Sequence, residues 1–360
     1  MATGNILSRS EQDAILSLAL DEKKKELLKN FTQPHITIRL LSGGGSDRSF
    51  FRIEKEGRSI ILMVSPPQDK DFQHYLDIGR FLRALGIGVP EFYETNQEKR
   101  FLFMEDVGEQ SLYLKVKKGM PEDEVVFWYH EALETLACMQ VGGGGRWMDC
   151  PVLAERTFDY QVLRWETAYF QENFLEKFCR ISVPVTKGLN QEFEVLAKKL
   201  AAEPIYFMHR DFQSQNIMIF QEEVRVLDFQ GGRRGLLQYD VASVLKDSYV
   251  VLSENIRRNL LVFYLKKLEE KGIMIQDRDR FYEIFTLAGL QRNMQALGAF
   301  CFLSLVKGKE WFKQYIPAGV HYLFLALKER RDFPVLREII DGIVSGLLNR
   351  NAKISLTISN

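Results

Sequence analysis

No charge of either sign prevails in this chain: Lys plus Arg and Asp plus Glu stand at 48 each in 360 residues. That balance excludes the broad field that draws a protein to nucleic acid or to an anionic membrane, so a charged ligand must be gripped locally. No apolar run approaches the roughly 18 residues of a spanning helix, and MATGNILSRSEQD holds no apolar stretch of signal-peptide length. A cytoplasmic protein is expected, with neither nucleic acid nor membrane as partner. Cysteine is scarce as well. Cys138, Cys150, Cys179 and Cys301 lack C-x-x-C spacing and a His at ligating distance, which argues against both a disulfide framework and a zinc site.

What is present falls into two parts. Ser10 to Asn30 has the spacing of an opening helix. HITIRL alternates from Ile36, FFRIEKEGRSIILMV carries a Glu-Gly turn between two runs, and Pro66-Pro67 stops the pattern. A three-stranded antiparallel meander is expected there. Asp71 to Leu85 follows as a helix ended by Gly86, and RFLFME follows as a strand. From Glu122 onwards the apolar period is helical, through EDEVVFWYHEALETLACMQ, the aromatic-rich Phe158 to Phe178, and long stretches between Glu254 and Leu348. Gly142 to Gly145 is expected as a flexible loop. The fold class is α+β, with residues 1–105 as a small antiparallel-sheet lobe and 106–360 as a large, mainly helical one.

One interruption of the helical part carries chemistry. In MHRDFQSQNIMIF, Asn216 lies five residues after Asp211 and behind His209-Arg210, the H-R-D-x-x-x-x-N spacing of a kinase catalytic loop. Twelve residues further comes Asp228-Phe229-Gln230, and the apolar runs NIMIF and VRVLDF between them should pair as a hairpin. Asn216 would stand just before one strand and Asp228 just after the other, so both could serve one magnesium. Phosphoryl transfer needs metal ions to neutralise phosphates and a carboxylate beside the acceptor hydroxyl. Asp211 is the expected catalytic carboxylate, with His209 and Arg210 in the same catalytic segment. The bland reading, turn-forming Asp and Asn in a loop, leaves the surrounding pattern unexplained.

The N-terminal part offers a nucleotide site. Gly43, Gly44, Gly45 and Ser46 sit between strands, where backbone N–H groups could approach a triphosphate; an ordinary flexible hairpin would read alike. Met104 and Glu105 end RFLFME where an interlobe hinge would present backbone to adenine, although an ordinary strand end reads the same way.

At these residues the sequence resembles the aminoglycoside/choline phosphotransferase superfamily, and HRDFQSQNIM, LDFQ and YDVAS are the stretches that carry the likeness. SFFRI, ILMVSPP, YDVASVLKDSYV and LQRNMQALGAF are similar to the branch of bacterial anomeric N-acetylmuramate/N-acetylglucosamine kinases of cell-wall recycling. The resemblance implies a two-lobed protein-kinase-like fold, ATP and Mg2+ as cofactors, a sugar as small-molecule substrate, and Asp240 as an anchor of the catalytic loop. It also exposes a departure. Met63 occupies the strand position of the usual phosphate-gripping lysine, and a thioether supplies no charge. Arg48 or Arg52 would then replace it, with Asp77 as the acidic partner on the helix.

The acceptor is the open question. Only eleven residues separate Asp228 from Asp240, too few for a peptide-docking activation segment, so a small molecule is favoured. Arg233 and Arg234 suit an acceptor with a carboxylate and oppose a polycationic aminoglycoside, unless they are surface charges. Arg292, in the LQRNMQALG helix beside Gln291, is a further substrate candidate. Tyr160, Trp165 and Tyr169 could cage a choline-like cation, but their helical spacing reads more simply as core. An aminoglycoside- or choline-type kinase and a nucleotide-binding pseudokinase stand as alternatives to the sugar kinase.

Overall fold

The computed structural model describes residues 7, 8, 11, 36–41, 47–181, 188–328 and 330–350, with side chains as far as 346. The expected opening helix, apart from Glu11, and the Gly43 to Ser46 turn lie outside them. Two compact units emerge, one of residues 1–110 with 218–231, the other of 111–217 with 232–360.

In the first unit, β1 (Thr37–Leu41), β2 (Ser49–Lys55) and β3 (Arg58–Val64) form the antiparallel meander. Glu56 and Gly57, at φ 49° and 76°, make the two-residue turn of positive φ that matches strand twist. Helix α1 (Phe72–Ala84) buries Phe72, Tyr75, Leu76, Ile78, Phe81 and Leu82 on one face. It ends in a left-handed Gly86, whose N–H bonds Arg83 C=O while Ile87 N–H reaches Leu82 C=O. Strands β4 (Phe92–Asn96) and β5 (Phe101–Glu105) complete a sheet of order β1-β2-β3-β5-β4. Ile38, Phe51, Ile53, Leu62, Phe101 and Phe103 make the core on one face.

The second unit is mainly helical: α2 (Leu112–Lys117), α3 (Glu122–Gly143), α4 (Pro151–Glu155), α5 (Tyr160–Phe170), which continues as a π-helix over Gln171–Phe178, and α6 (Leu189–Ala201). Gly142 and Gly143 belong to α3, so the expected glycine loop begins two residues later; Gly143 is kept without a side chain by Phe207, whose Cβ would meet an added methyl at 2.8 Å. Then come β6 (Tyr206–Met208), β7 (Ile217–Phe220), β8 (Glu223–Val226) and β9 (Arg233–Gly235). β7 and β8 pair as the expected hairpin, and its residues from Met218 onwards count with the first unit, where Val226 N–H bonds Gly88 C=O and Ile219 N–H bonds Gln110 C=O. The chain closes with α7 (Leu237–Leu245), α8 (Glu254–Glu270), α9 (Arg278–Leu305), α10 (Ile316–Lys328) and α11 (Pro334–Arg350).

Helix α9 is the spine of this unit, buried along most of its 28 residues and packed on α5, α7 and α10. Gln291, Arg292 and Asn293 lie in its buried stretch. Polar groups so placed need internal partners, and those partners build the site.

Candidate active site

Strand β6 delivers the chain into His209-Arg210-Asp211, and its pairing with β9 sets Met208 opposite Arg233. The loop bends sharply, because Arg210 adopts φ 78°, a left-handed conformation that costs a side-chain-bearing residue about 1 kcal/mol or more. A buried carboxylate holds that bend. Asp240, in the first turn of α7 and fully buried, accepts the N–H groups of His209 at 2.6 Å and Arg210 at 2.8 Å. Burial pushes its carboxyl up to about 7 against the pull of these two donors. The expected anchoring role of Asp240 is thus met in the backbone itself.

A second buried acid, Glu166 of α5, accepts the Arg210 guanidinium at 3.2 and 3.3 Å, the Tyr239 hydroxyl at 3.0 Å and the Gln291 amide at 3.2 Å. Burial works against the Arg210 charge, but Glu166 and Asp211 overcome it and raise its pKa. Sequence reasoning missed Glu166, since no spacing links it to a loop 44 positions away. A third, Asp247, accepts both the N–H and the hydroxyl of Ser214, at 2.8 and 2.6 Å.

Within this frame Asp211 keeps its side chain 30% exposed. Its Oδ1 faces Arg292 Nη2 at 3.4 Å, and the same guanidinium donates to Gln213 Oε1 at 2.8 Å and to Ser243 Oγ at 3.0 Å. Asn216 donates its amide N–H to the Asp211 carbonyl at 2.9 Å, and its amide oxygen takes part in no hydrogen bond among the described residues. His209 is fully buried, and its Nδ1 accepts the Asp211 N–H at 3.3 Å. The side chains of His209 and Arg210 therefore hold the loop, and Asp211 faces outward.

The segment after Asp228 is more ordered than a loop of surface charges. In β9, Arg234 bonds Arg156 C=O through its N–H, receives Phe158 N–H at its carbonyl, and donates from its guanidinium to Thr157 Oγ1 at 2.7 Å. Arg233 is only 8% exposed, and burial with the neighbouring charges of Arg210 and Arg156 lowers its pKa to about 10. Trp165 corrects the expectation of core: it is 54% exposed and stacked on Tyr169 at 5.2 Å.

In the first unit, Met63 is wholly buried, registered between Phe50 and Leu102. Arg48 bonds Asp69 at 2.7 and 3.3 Å and lies over the Tyr75 ring at 5.6 Å. The acid facing Arg48 is thus Asp69; Asp77 instead accepts the Gln73 amide. Arg52 bonds Asp106 at 2.6 and 2.9 Å and also Glu109. Met104 lies in β5 within reach of the Tyr75 hydroxyl, and Glu105 gives its N–H to Glu91 C=O, so that donor is already engaged. Asp228 stands at φ 62°, accepts the Gln230 amide at 2.6 Å, and is followed by a buried Phe229 packed on Tyr75 at 4.6 Å.

A family model described as "Phosphotransferase enzyme family" matches residues 37–283. The chain belongs to this family and is an enzyme that transfers a phosphoryl group to a hydroxyl acceptor, for which the family implies a nucleotide donor. It is 28% identical to an N-acetylmuramate/N-acetylglucosamine kinase of Pseudomonas aeruginosa, over 85% of this chain and 88% of that one. A Pseudomonas putida protein of the same name is 25% identical over 92% and 96%. Among solved structures, a choline kinase of Cryptosporidium parvum superposes with a TM-score of 0.60 at 13% identity, covering 90% of this chain and 95% of its own, which supports the two-part kinase-like fold. No helix among the described residues is long and apolar enough to cross a membrane.

Proposed function

We propose that this phosphotransferase is a sugar kinase that moves the γ-phosphoryl of ATP to the anomeric hydroxyl of N-acetylmuramate or N-acetylglucosamine. The observation that carries the reading is the setting of Asp211, an outward carboxylate on a loop held by three buried acids and flanked by Arg292. Asp211 orients the acceptor hydroxyl and takes its proton; Arg292 keeps the carboxylate in place; His209 and Arg210 position the loop. Asn216 and Asp228 are hard oxygen donors suited to Mg2+, which bound there would neutralise the phosphate oxygens of ATP. Nucleotide binding belongs to the lobe of residues 1–105, through Gly43 to Ser46, the hinge at Met104 and Glu105, and Arg48. That arginine, held by Asp69, takes over the ion-paired cation of the missing lysine; Arg52, shared by two acids, is the second candidate. Catalysis and acceptor binding belong to 106–360.

The acceptor reading rests on the relatives' names and on charge. Burial and two neighbouring arginines disfavour the charge of Arg233, which a carboxylate on the acceptor, such as a lactyl group, would offset. A polycation would find the opposite field there. Arg234 and Arg292 complete the proposed acceptor side. The test is ATP consumption with N-acetylmuramate, N-acetylglucosamine, an aminoglycoside and choline. Turnover with the first two is expected; turnover confined to the aminoglycoside or to choline would overturn the assignment.

A further inference from the structure

Away from Asp211, the second unit holds a cavity of about 730 Å³ whose lining includes Lys246, Arg257, Arg258, Lys328 and Arg330 against a single carboxylate, Glu254. The cations are not equally satisfied. Arg257 and Arg258 share Glu254 at 2.6 and 2.9 Å, and Arg330 bonds Asp332 and Glu283. Neither Lys246 nor Lys328 makes an ion pair within 4 Å among the described residues. The Lys246 ammonium rests instead over the Phe285 ring at 4.5 Å, and burial, reinforced by the charge of Arg257 and opposed by that of Glu254, lowers its pKa to about 7. Room for it is built into α9: a Cβ on Gly289 would stand 2.8 Å from Nζ.

A second observation concerns the same wall. Tyr322, 3% exposed, lines the cavity, and the Arg257 guanidinium lies over its ring at 5.3 Å. Tyr282 and Phe285 supply aromatic surface beside these polar groups.

We propose that this cavity is a second ligand site, for a small phosphate monoester whose dianion faces Lys246 and Lys328 and whose body lies on Tyr282 and Phe285. A dianion set between these two lysines would favour the charged form of Lys246 and be held by both. No residue of the His209–Asn216 loop lines the cavity, although Asp247, next to Lys246, bonds Ser214 of that loop. Asp240, which anchors that loop, lies in the first turn of α7, and Lys246 follows the other end of the helix, six residues or about 9 Å on. The proposal does not depend on which acceptor the enzyme phosphorylates.

The test uses the full chain and isothermal titration at constant ionic strength, with glucose 6-phosphate as probe and glucose as the uncharged control. Saturable binding with a Kd below about 1 mM is expected, at least about tenfold weaker in Lys246→Met and in Lys328→Ser, with none for glucose. Lys328 is exposed, so its replacement keeps the test open if Lys246→Met does not fold. Absence of binding, or binding that neither substitution weakens, would overturn the site.

Discussion

The loop that carries Asp211 and the arginines of the first unit obey opposite rules. Around Asp211 three wholly or largely buried acids, Asp240, Glu166 and Asp247, spend their charge on backbone N–H groups, a hydroxyl and Arg210, all within the loop or beside it. Around Met63 the cations are few and already matched, Arg48 by Asp69 and Arg52 by Asp106 with Glu109. Fixed geometry on one side leaves little tolerance for change. With Arg48 as the proposed phosphate cation, off the strand, a neutral residue can stand where a lysine is usual. The difference teaches that buried acids fix the loop through its backbone, whereas the first unit's arginines are held side chain to side chain by their own acids.

That contrast can be broken most sharply at Asp211. Asp211→Asn should lower kcat by about 10²–10⁴-fold with binding of nucleotide retained, as measured by steady-state turnover and titration of an ATP analogue. Next in size, Met63→Lys should not improve the enzyme: an ammonium in a wholly buried position should cost on the order of 3 kcal/mol, visible as a lower midpoint in denaturant. A stable variant with a lower KM for ATP would show instead that the strand position still serves phosphate.

Arg48→Ala should raise KM for ATP by about tenfold, roughly 1.4 kcal/mol, with a smaller effect on kcat. Its partner gives a pH signature. Burial alone would push Asp69 up, but Arg48, the Ser65 hydroxyl and the Asp71 N–H outweigh it and hold the carboxyl at about 2, below its ordinary 3.8. The stability this pair adds is therefore complete above about pH 4 and lost as pH falls through about 2. Asp69→Asn should flatten that part of the acid denaturation curve. The smallest effect is expected at Trp165: replacing this exposed ring by Ala should change stability by less than about 0.5 kcal/mol and leave turnover of an amino sugar unchanged, whereas a loss specific to choline would revive a cation cage.

What the sequence determined by itself was local. The H-R-D-x-x-x-x-N spacing, the β7–β8 hairpin between Asn216 and Asp228, the Glu-Gly turn and the α1 stop at Gly86 are set by residues a few positions apart, so period, turn chemistry and motif could read them. Tertiary structure alone decided the rest. Glu166 meets Arg210 across 44 positions, Arg292 meets Asp211 across 81, and Asp69 instead of Asp77 meets Arg48. None of these distances has a period. Arg233 was legible as a charge but not as a buried strand residue, because its burial comes from β9 pairing with β6 and lying along Arg156 to Phe158. Trp165 was read inward because helical spacing shows which residues share a face, while only the packed neighbours decide which face meets water.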